Sequence, residues 1–181
     1  MTKVLVILAE GFEEIEAVTP IDVLRRAGAE VVAAGLADGP VKGSRGISIL
    51  PDAPLSDVEE EEFDLLVLPG GLPGATNLRD DPRVKGLIER TLAANGTVGA
   101  ICAAPATVLS THGFLAGRRA TCHPNLAEDM VQGELVDERV VVDGNIVTSK
   151  GPGTAMEFAL TLVAELYGPD KAEEVNAPMF A

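Results

Sequence analysis

Residues 96–109 read GTVGAICAAPATVL, and this segment divides into two parts that meet at Cys102. The run Thr97–Ile101 is short, apolar and partly β-branched after the break at Asn95-Gly96, which predicts a buried strand. The alanine-rich run Ala103–Ser110 predicts a helix. Cys102 is therefore expected on a strand-to-helix turn.

A cysteine on such a turn is a candidate nucleophile. Its side chain stands clear of the sheet edge, and the free amides at the start of the helix favour a thiolate. The Gly-x-nucleophile-x-Gly pattern of hydrolase elbows is absent, because Ala100 and Ala104 replace both glycines. The alternative is a buried cysteine that behaves as a small hydrophobe, and this stretch alone leaves both interpretations open.

Length and cysteine content favour one cytoplasmic domain. A chain of 181 residues buries about two-thirds of its unfolded surface, so we expect residues 1–181 to form a single domain without disulfides. Cys102 and Cys122 are the only cysteines, and we expect reduced thiols in a cytoplasmic protein. The strand predicted after Met1-Thr2 is too short for a signal sequence or a membrane span.

The charge of the chain argues against two classes of partner. Acidic residues outnumber basic ones by 28 to 14, which gives a formal net charge of −14. The densest acidic group, Asp57–Asp64, predicts a hydrated loop. Because this charge repels phosphate backbones and anionic lipids, neither a nucleic acid nor a membrane is expected as a partner.

Strand patterns alternate with helix patterns along most of the chain. The predicted strands are Lys3–Leu8, Glu30–Gly35, a weak one near Gly46–Leu50, Asp64–Leu68, Thr97–Ile101 and one near Arg119–Cys122. The predicted helices are Phe12–Ala27, Asp81–Ala94, Ala103–Ser110 and a final one that follows Thr154 and ends at about Tyr167. Arg139–Val142 with Ile146–Ser149 predicts a hairpin. This alternation is typical of right-handed βαβ crossovers and predicts an α/β fold with a mostly parallel sheet.

The first predicted helix carries a carboxylate on an apolar face. On a helical wheel Phe12, Ile15, Thr19 and Val23 form one stripe, and Glu16 lies within it. Burial there would keep the proton on this acid, which could then donate a hydrogen bond to a thiolate. The alternative is a solvated helix residue.

The same helix is also apolar on its other side. Ile21 and Leu24 lie there, and Pro20 is expected to bend the helix. A helix that is apolar on two sides needs two packing surfaces, one being the sheet and the other a second copy of the chain. The sequence therefore predicts a homodimer.

Several candidate site segments follow predicted strands, where sites form in open α/β sheets. They are Gly11–Glu16, Gly70-Gly71, Cys102 and, by its own turn, His123. The amides of Gly70-Gly71 would receive an oxyanion together with that of Ala103. The alternatives are a merely flexible Gly-Gly turn and a structural histidine.

The remaining motifs argue against other kinds of functional site. His112 before Gly113 indicates a helix end. Cys122 and His123 would face opposite ways on an extended segment, which argues against Cys122 as a resolving thiol. Two cysteines and two histidines without ligand spacing make no zinc motif, and neither a Walker loop nor a Gly-x-Gly-x-x-Gly fingerprint occurs. No metal and no cofactor are expected.

Five motifs in this order resemble the ThiJ/PfpI superfamily, and within it the branch of the Parkinson-disease-associated protein DJ-one and its bacterial relatives. They are Val6–Ala9 with Gly11–Glu16, Val67–Gly71, Ala100–Pro105, Thr121–Pro124 and Thr148–Thr154. The resemblance spans nearly the whole chain. It implies a flavodoxin-like three-layer sandwich, with helices on both faces of the sheet, and a homodimer.

The resemblance also implies an arrangement of the site. Cys102 is expected to be a readily oxidised nucleophile, Glu16 to be protonated and hydrogen-bonded to it, and His123 to lie close by. Arg45 matches an arginine that reaches the site across the dimer, where it would pair with an anion. The protease-like and chaperone-like branches have a histidine at the position of Ala103. Its absence here argues against a Cys-His peptidase.

A second departure leaves one role open, because Cys122 replaces the more usual threonine before His123. The activity that the resemblance implies is a cofactor-independent glyoxalase or deglycase, acting on methylglyoxal, glyoxal or glycated protein and nucleotide adducts. Cys102 would attack the aldehyde, while Glu16 and His123 would move protons. The alternatives are a redox-sensing stress protein or chaperone with Cys102 oxidised to sulfinate, and an amidase or peptidase.

Overall fold

A computed structural model describes residues 1–181, and a seven-stranded sheet lies at its centre. Its strands along the chain are β1 (Lys3–Leu8), β2 (Glu30–Gly35), β5 (Ala53–Pro54), β6 (Leu65–Leu68), β7 (Thr97–Ile101), β10 (Val140–Asp143) and β11 (Ile146–Ser149). Their order across the sheet is β10-β11-β7-β6-β1-β2-β5. Only β10 runs antiparallel to its neighbour, so the predicted mostly parallel sheet and the hairpin are confirmed.

Two small sheets and several helices complete the chain. The short strands are β3 (Val41–Lys42) with β4 (Ser48–Ile49), and β8 (Arg119–Ala120) with β9 (Glu134–Leu135). The helices are α1 (Glu14–Arg26), α2 (Gly74–Asp80), α3 (Pro82–Ala93), the π-helix Pro105–Ser110, α4 (Ala155–Tyr167) and α5 (Pro169–Asn176), with 3-10 turns at Leu55–Asp57, Pro124–Asp129, Pro152–Thr154 and Ala177–Met179. None of the helices combines the length and the hydropathy of a membrane span.

The helices cover both faces of the sheet. Successive residues of β1 point to opposite faces, so Val6 belongs to the same apolar cluster as Val23 of α1 and Phe158 of α4, whereas Ile7 belongs to the cluster that includes Leu87 of α3. Each face therefore has its own apolar core, and the predicted three-layer arrangement is confirmed. Both faces being covered explains why β1 reads as a continuous apolar run.

The apolar stripe predicted for the first helix is wrong in part. It begins at Glu14 rather than Phe12, with Glu13 as its N-cap. Because Phe12 lies before the helix, it does not set the phase of the helical face. Ile15 is 52% exposed, whereas Leu24, which was assigned to the opposite side, is buried in the core.

Other boundaries differ from the predicted ones in informative ways. The helix after Cys102 is a π-helix from Pro105 to Ser110, a wide form that often occurs at functional sites. Helix α3 begins after the predicted Asp81, whose carboxylate accepts from the Arg83 amide as an N-cap. Helices α2 and α5 were not predicted, because both are short and neither has a clear apolar period.

The sheet order brings three candidate segments together. Strands β1, β6 and β7 are adjacent and parallel, so their carboxyl ends lie at one edge. Helix α1, Gly70-Gly71 and Cys102 follow these three strands in turn. Their predicted convergence at one edge is confirmed.

Candidate active site

Cys102 follows β7 in a conformation that few side chains adopt. Its φ is 64°, in the left-handed region. Its amide donates to the Ser149 carbonyl at 2.8 Å, and its carbonyl accepts from the His123 amide at 2.8 Å. Such strain persists only where neighbouring structure determines it, and it is typical of functional sites. The predicted turn is therefore confirmed, with 9% of the cysteine exposed.

Two backbone amides face the sulfur of Cys102. They belong to Gly71 and Ala103, and both lower the pKa of the thiol, although burial outweighs them. Glycine is required at position 70, since a Cβ there would lie 2.8 Å from the Ala103 nitrogen and 2.8 Å from the Cys102 Cβ. Gly70 thus packs against the cysteine, and the Gly71 amide converges with the Ala103 amide, as donors do in an oxyanion hole.

Glu16 is fully buried beside the same sulfur. Its Oε2 accepts a hydrogen bond from the Gly70 amide at 2.8 Å, and its own amide donates to the Glu13 carboxylate at 2.9 Å. Its other oxygen, Oε1, is buried without a hydrogen-bond partner. A proton on Oε1 would satisfy this oxygen by donating to the sulfur of Cys102.

Glu16 and Cys102 titrate as a coupled pair. The pKa of Glu16 is raised from 4.5 to about 7, because burial, and to a smaller extent the charge of Glu13, outweigh the hydrogen bonds with Cys102 and the Gly70 amide. Burial, and next the charge of the Glu16 carboxylate, together raise the pKa of the Cys102 thiol to about 12. The two amides at the turn favour the thiolate, as predicted, whereas burial and the Glu16 charge oppose it. Between these two pKa values the pair shares one proton.

His123 lies beside the cysteine. A Cβ at the position of Gly151 would be 3.5 Å from the His123 ring Cδ2 and 4.0 Å from the Cys102 Sγ, so one small space borders both. Nδ1 of the ring accepts from the Asn125 amide at 3.2 Å, which places the proton of a neutral imidazole on Nε2. The structure therefore brings His123 to the edge where Cys102 and Glu16 meet.

Arg45 is not brought to this site within one chain. It is exposed in the loop that follows β3, and its backbone amide donates to the Glu14 Oε1 at 2.7 Å. Its guanidinium forms no hydrogen bond or ion pair within the chain. A role across a dimer stays a prediction.

Sequence reasoning missed two groups whose hydrogen bonds organise segments near the site. Glu14 binds the loop after β3 through the amides of Arg45 and Ile47, and the only signal for this role was an acidic residue in the first turn. The Thr154 hydroxyl accepts from the Gly151 amide at 3.1 Å and lies 2.6 Å from the Ser149 hydroxyl. The motif at Thr148–Thr154 pointed to this region without indicating what it does.

Cys122 and His112 lie outside the reactive cluster. Burial raises the pKa of the Cys122 thiol to about 11, and its sulfur donates a hydrogen bond to the His123 carbonyl at 3.5 Å. Neither cysteine forms a disulfide. His112 Nε2 lies 2.9 Å from the Arg79 carbonyl, in the last turn of α2. The imidazole thus binds a carbonyl at a helix end, as predicted, but on a different helix. No group of three His, Cys, Asp or Glu residues is placed to hold a metal ion.

The chain is similar to known proteins over almost its full length. A model of the DJ-1/PfpI family matches residues 2–165. The chain is 46% identical to the Parkinson disease protein 7 homolog of Danio rerio, covering 98% of this chain and 96% of that protein. It is 42% identical to the glutathione-independent glyoxalase DJR-1.2 of Caenorhabditis elegans, covering 94% of this chain and 91% of that protein.

Solved structures match as well. Oxidized Toxoplasma gondii DJ-1 has a TM-score of 0.94 and 42% identity, covering 99% of this chain and 98% of the other. This confirms the flavodoxin-like sandwich. The narrower expectation of a bacterial-type member is not supported, since these three matches come from eukaryotes.

Proposed function

The chain belongs to the DJ-1/PfpI family, and we propose that it is a cysteine-dependent, cofactor-independent glyoxalase or deglycase of reactive dicarbonyls. One observation carries the proposal, namely the buried Glu16 carboxyl, whose Oε1 has no other hydrogen-bond partner, beside the Cys102 sulfur and the two amides of Gly71 and Ala103 that face it. A nucleophile and an acid in one site can attack a carbonyl and protonate the oxygen that results. The relative named as a glyoxalase supports this class of activity.

The first step forms a hemithioacetal. The Cys102 sulfur bonds to the aldehyde carbon of methylglyoxal or glyoxal, and the carbonyl π electrons move to the oxygen. The amides of Gly71 and Ala103 stabilise that oxyanion. The proton shared by the pair then passes to the oxygen, which leaves Glu16 ionised.

The second stage moves hydrogen between the two carbons. Glu16 and His123 remove the proton from the former aldehyde carbon to give an enediol and deliver a proton to the neighbouring carbon. The result is a thioester of a 2-hydroxy acid, and water releases it as lactate or glycolate and restores the thiol. One carbon is oxidised as the other is reduced, so the step balances without an external oxidant.

The test compares variants of the two cysteines. Cys102→Ala is expected to lose at least about 10³-fold in lactate formation from methylglyoxal, because the covalent step needs the sulfur. Cys122→Ala is the matched control and should keep the activity of the wild type, with all three proteins prepared identically and metal-free. A Cys102→Ala variant as active as the wild type would overturn the mechanism.

A redox-sensing stress function is the second candidate. One solved relative is described as oxidized, and the sulfur of Cys102 lies beside two amides that would hold a sulfinate. Peroxide would supply the oxidant. If mass spectrometry after mild peroxide shows two oxygens on Cys102 while the purified protein lacks dicarbonyl turnover, this function replaces the first.

We extend the proposal to assembly and location. Ile15 and Val18 of α1 are 52% and 48% exposed on one side of the helix, which supports a homodimer with Arg45 near the partner's site. A solution-scattering mass equal to one chain would overturn this assembly. The same proposal includes a single cytoplasmic domain formed by residues 1–181. It also includes dicarbonyl adducts of proteins or nucleotides as further substrates. Alanine at position 103 still argues against an amidase or peptidase.

A further inference from the structure

Gly151 is a buried glycine with a small open space beside it. A Cβ at this position would have only two heavy atoms within 4 Å apart from its chain neighbours, His123 Cδ2 at 3.5 Å and Cys102 Sγ at 4.0 Å. The residue has a φ of 165°, an extended conformation that any residue adopts. A methyl group would therefore fit without strain, and it would occupy space that borders both the sulfur and the imidazole.

Hydrogen bonds hold the backbone of Gly151 in place beside this space. Its amide donates to the Thr154 Oγ1 at 3.1 Å, and its carbonyl accepts from that hydroxyl at 2.9 Å and from the Thr154 amide at 2.9 Å. The Thr154 hydroxyl is also 2.6 Å from the Ser149 hydroxyl, and the Ser149 carbonyl accepts from the Cys102 amide at 2.8 Å. These hydrogen bonds connect the Gly151 backbone, through Thr154 and Ser149, to the backbone of Cys102.

We propose that Gly151 is a specificity-determining residue, whose missing side chain leaves room for the substituent next to the reacting carbonyl. The inference rests on the proposed function for its substrate class. Once the sulfur bonds to the aldehyde carbon, the second carbon lies two bonds from the sulfur and its substituent three. In glyoxal that substituent is hydrogen, and in methylglyoxal it is a methyl group, so a methyl at position 151 would compete with the larger substrate only.

The experiment compares Gly151→Ala with Gly153→Ala. Gly153 lies in the same loop, and a Cβ there would meet nothing within 4 Å, so it is a matched control. In Gly151→Ala the ratio of kcat/KM for methylglyoxal to that for glyoxal should fall about tenfold, a typical discrimination for one methyl group in a pocket. In Gly153→Ala the ratio should stay at the wild-type value, and both variants should melt as the wild type does.

A second readout does not depend on turnover. Alkylation of Cys102 by N-ethylmaleimide and its oxidation by hydrogen peroxide are followed by peptide mass spectrometry in each protein. Gly151→Ala should slow the bulky maleimide about tenfold and leave the small peroxide unaffected. Equal slowing of both reagents, an unchanged maleimide rate, or the same effect in Gly153→Ala would overturn the inference.

The two proposals can fail separately. A wild type without dicarbonyl turnover would end the proposed function, while selective slowing of the maleimide would still support the role of Gly151. A wild type that turns over both dicarbonyls, with an unchanged substrate ratio in Gly151→Ala, would overturn the role of Gly151 alone.

Discussion

Two glutamates in the first turn of α1 are both buried, yet they face different regions and behave in opposite ways. Glu14 is 6% exposed and faces the loop after β3, where it accepts from the amides of Arg45 at 2.7 Å and Ile47 at 3.2 Å. Glu16 is 0% exposed and faces Cys102, with the Gly70 amide as the only backbone donor to its carboxylate.

The number of donors decides the outcome. Burial alone would raise the pKa of Glu14, but its own amide, those of Arg45 and Ile47, and the Ser44 hydroxyl together lower it. Burial wins at Glu16 and raises its pKa to about 7. A fully hydrogen-bonded carboxylate thus anchors a loop, whereas an under-bonded one beside a thiol becomes a proton carrier.

The largest effect expected from this comparison is on Cys102 chemistry in Glu16→Gln. Glutamine can still accept from the Gly70 amide but cannot take the thiol proton, so dicarbonyl turnover should fall about 10²- to 10⁴-fold. In the wild type, alkylation of Cys102 by iodoacetamide should rise as the pH passes about 7, because the pair loses its second proton there. Peptide mass spectrometry across pH measures this step, and its persistence in Glu16→Gln would contradict the shared proton.

The same substitution should stabilise the fold at high pH. A carboxyl whose pKa is raised from 4.5 to about 7 contributes stability below pH 4.5 that is lost as the pH rises through 7. Glutamine does not titrate, so Glu16→Gln should gain up to about 3 kcal/mol in the free energy of unfolding at pH 8 and nothing at pH 4. Urea melts at both pH values test this, and a gain that does not depend on pH would point to packing instead.

The smallest effect is expected for Glu14→Gln. The neutral amide weakens the hydrogen bonds from Arg45 and Ile47, so the variant should lose about 1–2 kcal/mol in the free energy of unfolding at neutral pH. Because the pKa of Glu14 is lowered, its contribution disappears as the pH falls through that value, and the two proteins should then converge. Alkylation of Cys102 should stay within about twofold of the wild type, since the loop does not touch the sulfur. A large loss of reactivity would mean that Glu14 also acts on the site.

Local patterns were enough to predict the elements that hold the site. The apolar runs of β1, β6 and β7, each followed by a turn, placed Glu16, Gly70-Gly71 and Cys102 at one edge, and the sheet order agrees. The phase of α1 was wrong at Ile15, because the N-cap at Glu13 starts the helix two residues later than predicted. The anchoring role of Glu14 was missed, since its partners lie about thirty residues away in the chain.

The sequence by itself determined the alternation of strands and helices, the family and the residue types at the site. These follow from the periodicity of hydrophobic residues and from short motifs, both of which are local in the chain. Only the tertiary structure decided which glutamate carries a labile proton and how strongly the Cys102 thiol binds its proton. It also decided that the missing side chain of Gly151 leaves a space beside the sulfur. Burial and hydrogen bonds from distant segments set these properties, and no local pattern encodes how many donors will reach a given side chain.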